Sequence, residues 1–127
     1  MRWFPIAKRV LIVDDEPDIR VSVKQAVEGE GFETKAASNG KEALKMLRKE
    51  KFVLVLMDIF MPEMSGREAT EAIRKDPNLK SQKVAFLTVV NLSEQGQSIV
   101  KKLKPVEYFQ KPIDLDDFGK RLRKILK

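Results

Sequence analysis

The sequence contains no cysteine and no histidine. Without cysteine there are no disulfides and no thiolate metal sites. Without histidine the commonest general base, the imidazole metal ligand and any phosphohistidine step are excluded. Long apolar runs are missing as well: no stretch approaches the roughly 20 residues that a membrane-spanning helix requires. Near the N-terminus the apolar stretch is broken by Lys8 and Arg9 and closed by Asp14, which leaves no core for a signal peptide, so a cytoplasmic setting is the expectation. No Gly/Pro-rich linker, repeat or low-complexity tract interrupts the 127 residues. One domain over 1–127 is expected, with 1–7 as an N-terminal tail around Trp3-Phe4-Pro5. Any chemistry falls to carboxylates and lysines.

What the chain has in quantity is charge, 35% of residues with a formal net of +6. From Lys101 onward there are nine basic and four acidic residues, a net of +5, so nearly all the excess lies in the last fifth of the sequence. That pattern reads either as a solvated helix face or as a basic docking surface for an acidic partner. No nucleic-acid recognition module is readable, and direct nucleic-acid binding is not expected.

Five short β-branched runs, at 8–13, 33–37, 53–57, 83–88 and 107–110, alternate with segments of helical periodicity. Val10-Leu11-Ile12-Val13 and Val53-Leu54-Val55-Leu56-Met57 are continuously apolar, as suits strands covered on both faces. Between the runs, Ile19, Val23, Ala26 and Val27 recur at helical spacing before Gly31. Ala43, Leu44 and Leu47 follow Asn39-Gly40, and Ala69, Ala72 and Ile73 precede Asp76-Pro77. A fourth helix, capped by Ser93 with Ile99, Val100 and Leu103 as its buried side, is weakened by Gly96. A fifth carries Leu115, Phe118, Leu122, Ile125 and Leu126 on one stripe. Strand alternating with helix implies a parallel sheet with right-handed crossovers. The expected fold is α/β, a flavodoxin-like doubly wound five-stranded sheet in the order 2-1-3-4-5 with five helices; the order itself follows known examples of such sheets.

Chemistry-bearing residues gather at the strands' carboxyl ends. Asp14 and Asp15 follow the first strand, Asp58 the third and Lys111 the fifth, while Thr88 ends the fourth. With strands one and three adjacent, about 4.8 Å apart, the three aspartates converge in one cleft. Ionised carboxylates repel there, and a divalent cation resolves the conflict; with oxygen ligands alone, Mg²⁺ is the natural choice. Taken singly, Asp14-Asp15 would serve as a helix cap, Asp58 as a turn former before Pro62 and Lys111 as a solvated charge. Only the joint placement argues otherwise.

Val-Asp-Asp-Glu at 13–16, Met-Asp-Ile-Phe-Met-Pro at 57–62 with Gly66 beyond, Leu87-Thr88 and Lys111-Pro112 together resemble the response-regulator receiver domains, over Val10 to Leu126. The resemblance implies that Asp58 is a phosphoacceptor and that Asp15, Asp58 and the Phe60 carbonyl bind Mg²⁺ directly, with Asp14 acting largely through water. It also implies a Lys111 that pairs with carboxylate or phosphoryl oxygens and a cis peptide between Lys111 and Pro112. Thr88 and Tyr108 stand at the family's switch positions, and Gly66 where the turn above the cleft leaves no room for a side chain. The implied partners are a sensor histidine kinase or a histidine phosphotransfer protein, plus an unidentified downstream protein. A monomer or weak phosphorylation-dependent dimer is expected, free of membrane. The only catalysis implied is of the domain's own phosphorylation and dephosphorylation.

Three features depart from the family's usual pattern. Val89 stands where a small residue is usual, Phe60 and Val90 are apolar where the family lines the path of attacking water, and Leu103-Lys104-Pro105-Val106 replaces a usual Gly-Ala pair. Phe60 and Val90 suggest a long-lived phosphoryl state; Val89 motivates the alternative of a degenerate receiver that binds partners without phosphorylation. An aspartate-nucleophile phosphatase would carry a second Asp where Phe60 stands. A flavin module would need a phosphate loop where Asp14-Asp15-Glu16 repels phosphate.

Overall fold

The computed structural model describes residues 8–88 and 93–126. The strands are β1 (Arg9–Val13), β2 (Glu33–Ala37), β3 (Leu54–Asp58), β4 (Val84–Thr88) and β5 (Glu107–Gln110). The helices are α1 (Pro17–Glu28), α2 (Gly40–Lys49), α3 (Gly66–Lys75), α4 (Glu94–Lys101) and α5 (Leu115–Leu126). All strand pairs are parallel, as expected from the alternating pattern, and the sheet order is β2-β1-β3-β4-β5, the order expected from known sheets of this kind.

The two-residue period of a strand explains how continuous apolar runs are used. Val10 and Ile12 of β1, with Leu54 and Leu56 of β3, pack with Val23 and Val27 of α1 and Phe118 and Leu122 of α5. The alternate residues Leu11, Val13, Val55 and Met57 face α2 and α3, where Ala43, Leu44, Leu47, Ala69 and Ile73 meet them. Every residue of β3 is buried. Each such aliphatic side chain contributes about 1.5–3 kcal/mol relative to exposure, which fixes β3 at the centre and Asp58 at its end.

Local chemistry sets the helix starts. Asn39 accepts from the Glu42 N–H at α2, and Ser93 accepts from the Gly96 N–H at α4. Ser65 and Glu68 form a reciprocal capping box at α3. After α1, Gly31 takes φ +92°, a left-handed conformation open to a residue without Cβ.

Three expectations need correction. Asp58 is the last residue of β3 rather than the residue after it, because its backbone still pairs with Leu87 of β4. Leu115 is 67% exposed: it is the first residue of α5, and the buried side of that helix starts one turn later at Phe118. Ile99 is 42% exposed, and α4 buries only Val100, with Leu103 just past its end, because the eight-residue helix meets the sheet through its last turn. Trp3-Phe4-Pro5, Val89 and Val90 lie outside the described residues. Among those described, no helix is long and apolar enough to cross a membrane.

Candidate functional site

The parallel sheet delivers four side chains to one end. Asp14 directly follows β1, with its N–H bonded to the Ala37 carbonyl at 3.2 Å. Asp58 ends β3, Thr88 ends β4, and Lys111 directly follows β5, where its N–H reaches the Thr88 carbonyl at 2.8 Å. Lys111 Nζ lies 2.6 Å from Asp14 Oδ2 and 3.5 Å from Asp58 Oδ2. All three are buried, at 0% exposure for Asp14, 4% for Asp58 and 5% for Lys111. The peptide bond between Lys111 and Pro112 is cis.

Burying two carboxylates beside one ammonium leaves a surplus of negative charge. Burial first, and then the charge of Asp14, push the Asp58 carboxyl up from 3.8 to about 7, and a side-chain hydrogen bond with Asp15 adds to the rise. Lys111 and the Phe60 N–H, 3.2 Å from Asp58 Oδ1, oppose the rise without cancelling it. For Lys111, burial works against the charged form, but the hydrogen bond to Asp14 and the charges of Asp58, Asp14 and Glu16 outweigh it and raise the ammonium above its usual value. The cleft therefore holds a firmly protonated lysine beside an acid balanced near neutrality.

Asp14 has both oxygens engaged: Oδ1 accepts from the Glu16 N–H at 2.9 Å, and Oδ2 from Lys111. Its backbone carbonyl accepts from Arg20 at 2.7 Å. The N-cap of α1 is Glu16, whose side chain makes no cap bond, so neither aspartate is spent on capping. Asp14, Asp15 and Glu16 bring carboxylate oxygens within 4.8 Å of one another. Asp15 and Glu16 are exposed at the mouth of the cleft. Glu16 was not among the metal ligands expected from the sequence; its signal was its place in the acidic run itself. An all-oxygen set, with an uncompensated carboxylate beneath it, fits a hard divalent cation such as Mg²⁺.

Gly66 closes the site from above. A Cβ there would stand 2.0 Å from the Asp58 carbonyl oxygen and 2.9 Å from Met57 Cγ, while the Gly66 N–H bonds the Ile59 carbonyl at 2.8 Å. The loop after β3 thus folds back onto Asp58 so closely that no side chain fits. Phe60, 53% exposed, stands at the rim. Thr88 is partly buried, and Tyr108 on the neighbouring strand is 38% exposed with its ring 6.2 Å from that of Phe86. Arg121 holds this edge, donating to the Tyr108 carbonyl and packing over the Phe109 ring at 4.6 Å.

Comparison with known proteins matches residues 10–123 to the family described as the response regulator receiver domain. Sporulation initiation phosphotransferase F of Bacillus subtilis is 32% identical over 94% of this chain and 94% of its own length. Transcriptional regulatory protein CrdR of Helicobacter pylori is 34% identical over 92% of this chain, which spans 54% of that protein. The chain covers 12% of sensor protein GacS of Pseudomonas syringae and 24% of a probable cyclic di-GMP phosphodiesterase of Vibrio cholerae, so several relatives are much longer than the matched region. Among solved structures, response regulator TrrA of Thermotoga maritima, in complex with Mg²⁺ and BeF, superposes with a TM-score of 0.80 at 37% identity, covering 94% of this chain and 99% of that one. Chemotaxis response regulator CheY4 of Vibrio cholerae gives 0.85 at 29% identity, over 95% of this chain and 100% of that one.

Proposed function

The chain belongs to the response regulator receiver domain family, and on that footing we propose that Asp58 accepts a phosphoryl group from a phosphohistidine of a sensor histidine kinase or a phosphotransfer protein. The observation that carries this reading is the Lys111 ammonium, buried against both Asp14 and Asp58 in a cleft formed by residues far apart in sequence. In-line transfer requires an oxygen nucleophile and fixed positive charge beside the transferring group. An Asp58 carboxylate oxygen forms the new bond to phosphorus as the donor's phosphorus–nitrogen bond breaks, and the electron pair leaves with the imidazole, which takes up a proton. Lys111, held by Asp14, faces the equatorial oxygens and stabilises their charge.

Asp15, Asp58 and the Phe60 carbonyl, with Asp14 indirectly and Glu16 at the mouth, are the residues that would hold Mg²⁺. When bound, the ion supplies charge neutralisation for the acidic cleft and for phosphoryl oxygens. The donor set and the Asp58 carboxyl, pushed up to about 7 by burial and by Asp14, support this assignment, as does the likeness to TrrA, itself a complex with Mg²⁺ and BeF. Thr88, at the end of β4, the strand paired with that of Asp58, carries the hydroxyl that would report the new charge of about −2, and Tyr108, half exposed two strand positions away on β5, is the aromatic whose inward rotation would alter the α4/β5 face. The domain catalyses only its own phosphorylation and dephosphorylation.

The test is incubation with a small phosphodonor and Mg²⁺ followed by intact-mass measurement. Wild type gains one phosphoryl group, and Asp58→Asn gains none. No increment in wild type would favour the degenerate receiver, the reading motivated by Val89.

A further inference from the structure

The charge surplus is gathered at the end of the sheet opposite Asp58. Two concavities adjoin there through Ser81, Gln82 and Lys83, one of about 860 Å³ running from Lys8 past Phe52 to Asp76 and one of about 540 Å³ running from Arg74 to Val106. Together their walls carry nine lysines and arginines against two carboxylates, Glu50 and Asp76, a net of +7. Since the whole chain is +6, all the residues other than these sum to −1. Both carboxylates are already engaged, Glu50 by Lys35 at 2.7 Å and Asp76 by Arg48 at 3.9 Å.

A purely structural account would have these cations neutralise helix ends. Of the helices that finish at this end of the sheet, four, α2 to α5, do so along the trough, each equivalent to about −0.5 charge, or about −2 in all. Some lysines do serve that role: Lys8 and Lys83 donate to the carbonyls of Leu126 and Ile125. The remaining surplus is about +5. Lys80, Lys102 and Lys104 are exposed and have no carboxylate partner among the described residues. Their loops are clamped rather than loose. Arg74 donates to the carbonyls of Leu103, Lys80, Gln82 and Lys104 at 2.7, 3.0, 2.6 and 3.3 Å, and Lys104 sits at φ 55°, a conformation lysine seldom takes. Three free ammonium groups are thus presented on one braced rim.

We propose that this trough is a docking surface for an acidic protein segment, an extended stretch in which aspartate or glutamate alternates with apolar residues. The three lysines are exposed and stand on two separate loops, which suits a string of carboxylates rather than one small anion. The apolar part is met by Val106, 41% exposed on one wall, and by the partly buried Val53, Leu79 and Leu126. A single-stranded nucleic acid is a poorer match, because among the described residues the one aromatic ring lining the trough, Phe52, is 7% exposed and offers no face for base stacking. Duplex recognition wants a projecting element or a helix N-terminus, and here four helices present their carbonyl ends.

The experiment titrates the full chain into a fluorescein-labelled 15-residue peptide in which Glu and Asp alternate with Leu and Val. Its glutamine-substituted counterpart and a 15-nucleotide single-stranded DNA are run beside it. Two triple variants are compared: Lys80→Gln/Lys102→Gln/Lys104→Gln on the trough, and Lys41→Gln/Lys45→Gln/Lys120→Gln elsewhere, which changes net charge equally. The expected result is binding of the acidic peptide alone, weakened at least about tenfold by the trough substitutions and less than about twofold by the control set, with affinity falling as salt rises. Thermal melting of both variants checks that they remain folded. No binding by wild type, equal loss in the two variants, or oligonucleotide binding as tight as the peptide's would each overturn the proposal. None of these outcomes bears on Asp58 phosphorylation, which is read separately by mass.

Discussion

Asp58→Asn should make the metal-free protein more stable, and only above a definite pH. The Asp58 carboxyl is raised from 3.8 to about 7, so between those values the folded protein holds a proton that the unfolded chain has lost. Stability attributable to this group is therefore complete below pH 3.8 and is lost as pH climbs to about 7, beyond which the loss is constant. At 1.36 kcal/mol per unit the full effect is about 4 kcal/mol. Asparagine would not recover all of it, because Lys111 keeps one anionic partner instead of two; a gain of about 1–3 kcal/mol at pH 8.5 is expected. Lys111 does not confuse the measurement. Its raised value means that its contribution persists until pH passes 10.5. Urea unfolding of wild type and Asp58→Asn at intervals from pH 5 to 9, with and without Mg²⁺, gives the comparison. The two proteins should converge toward pH 5 and separate above pH 7, and saturating Mg²⁺ should restore wild type by about 2–3 kcal/mol at high pH, with little effect on the variant. Asp58→Asn no more stable than wild type at pH 8.5 would refute the claim that the ionised carboxylate is a buried, under-compensated charge.

Four further outcomes follow from the geometry. Lys111→Ala should slow phosphorylation by a small donor about 100-fold or more, measured by mass against time, because it removes the buried ammonium beside the phosphoacceptor. Gly66→Ala should cost about 2–4 kcal/mol of stability by urea unfolding, since its Cβ would collide with the Asp58 carbonyl at 2.0 Å; an unchanged midpoint would mean the loop has ample room to move. Arg74→Ala, which unpairs four loop carbonyls, should lose about 2–3 kcal/mol while leaving the phosphorylation rate of the folded protein intact. Phe60→Asn should shorten the phosphoryl lifetime several-fold by replacing an apolar rim with one that can orient water, an idea abandoned if wild type already loses its label within seconds and the substitution changes nothing.

The sheet was legible because its signal is redundant. Val10 to Val13 and Leu54 to Met57 are apolar at every position, and only a strand covered by helices on both faces uses such a run. Crossover handedness then gave a doubly wound sheet, known examples of such sheets gave the strand order, and the positions of Asp14, Asp58, Thr88 and Lys111 followed from that order. Contacts set by shape were less visible. Leu115 and Ile99 fit a helical stripe yet stand exposed, since periodicity records which side of a helix is apolar and not how far along it the core extends. The role of Arg74 has no sequence pattern, because backbone carbonyls, present at every residue, are its partners.

Charge was the quantity that a count along the chain misplaced. Only part of the excess from Lys101 onward is compensated on folding: Lys111 enters the cleft with Asp14 and Asp58, Arg121 pairs with Glu107 and Asp117, and Arg123 pairs with Glu30, while Lys102 and Lys104 join the trough. The real surplus is assembled in space from the residues before β1, the turns into β3, β4 and β5, and the ends of the helices. A five-residue strand at about 3.3 Å per residue separates that surplus from the phosphoacceptor by roughly 16 Å. The screening length at physiological salt is about 8 Å, so charge at one end is scarcely felt at the other. An acidic segment seated at the foot of the sheet and a phosphodonor at its top would therefore bind without competing. Any coupling between them would have to travel through β4 and β5, whose two ends are the Lys83 and Val106 rim and the Thr88 and Lys111 pair.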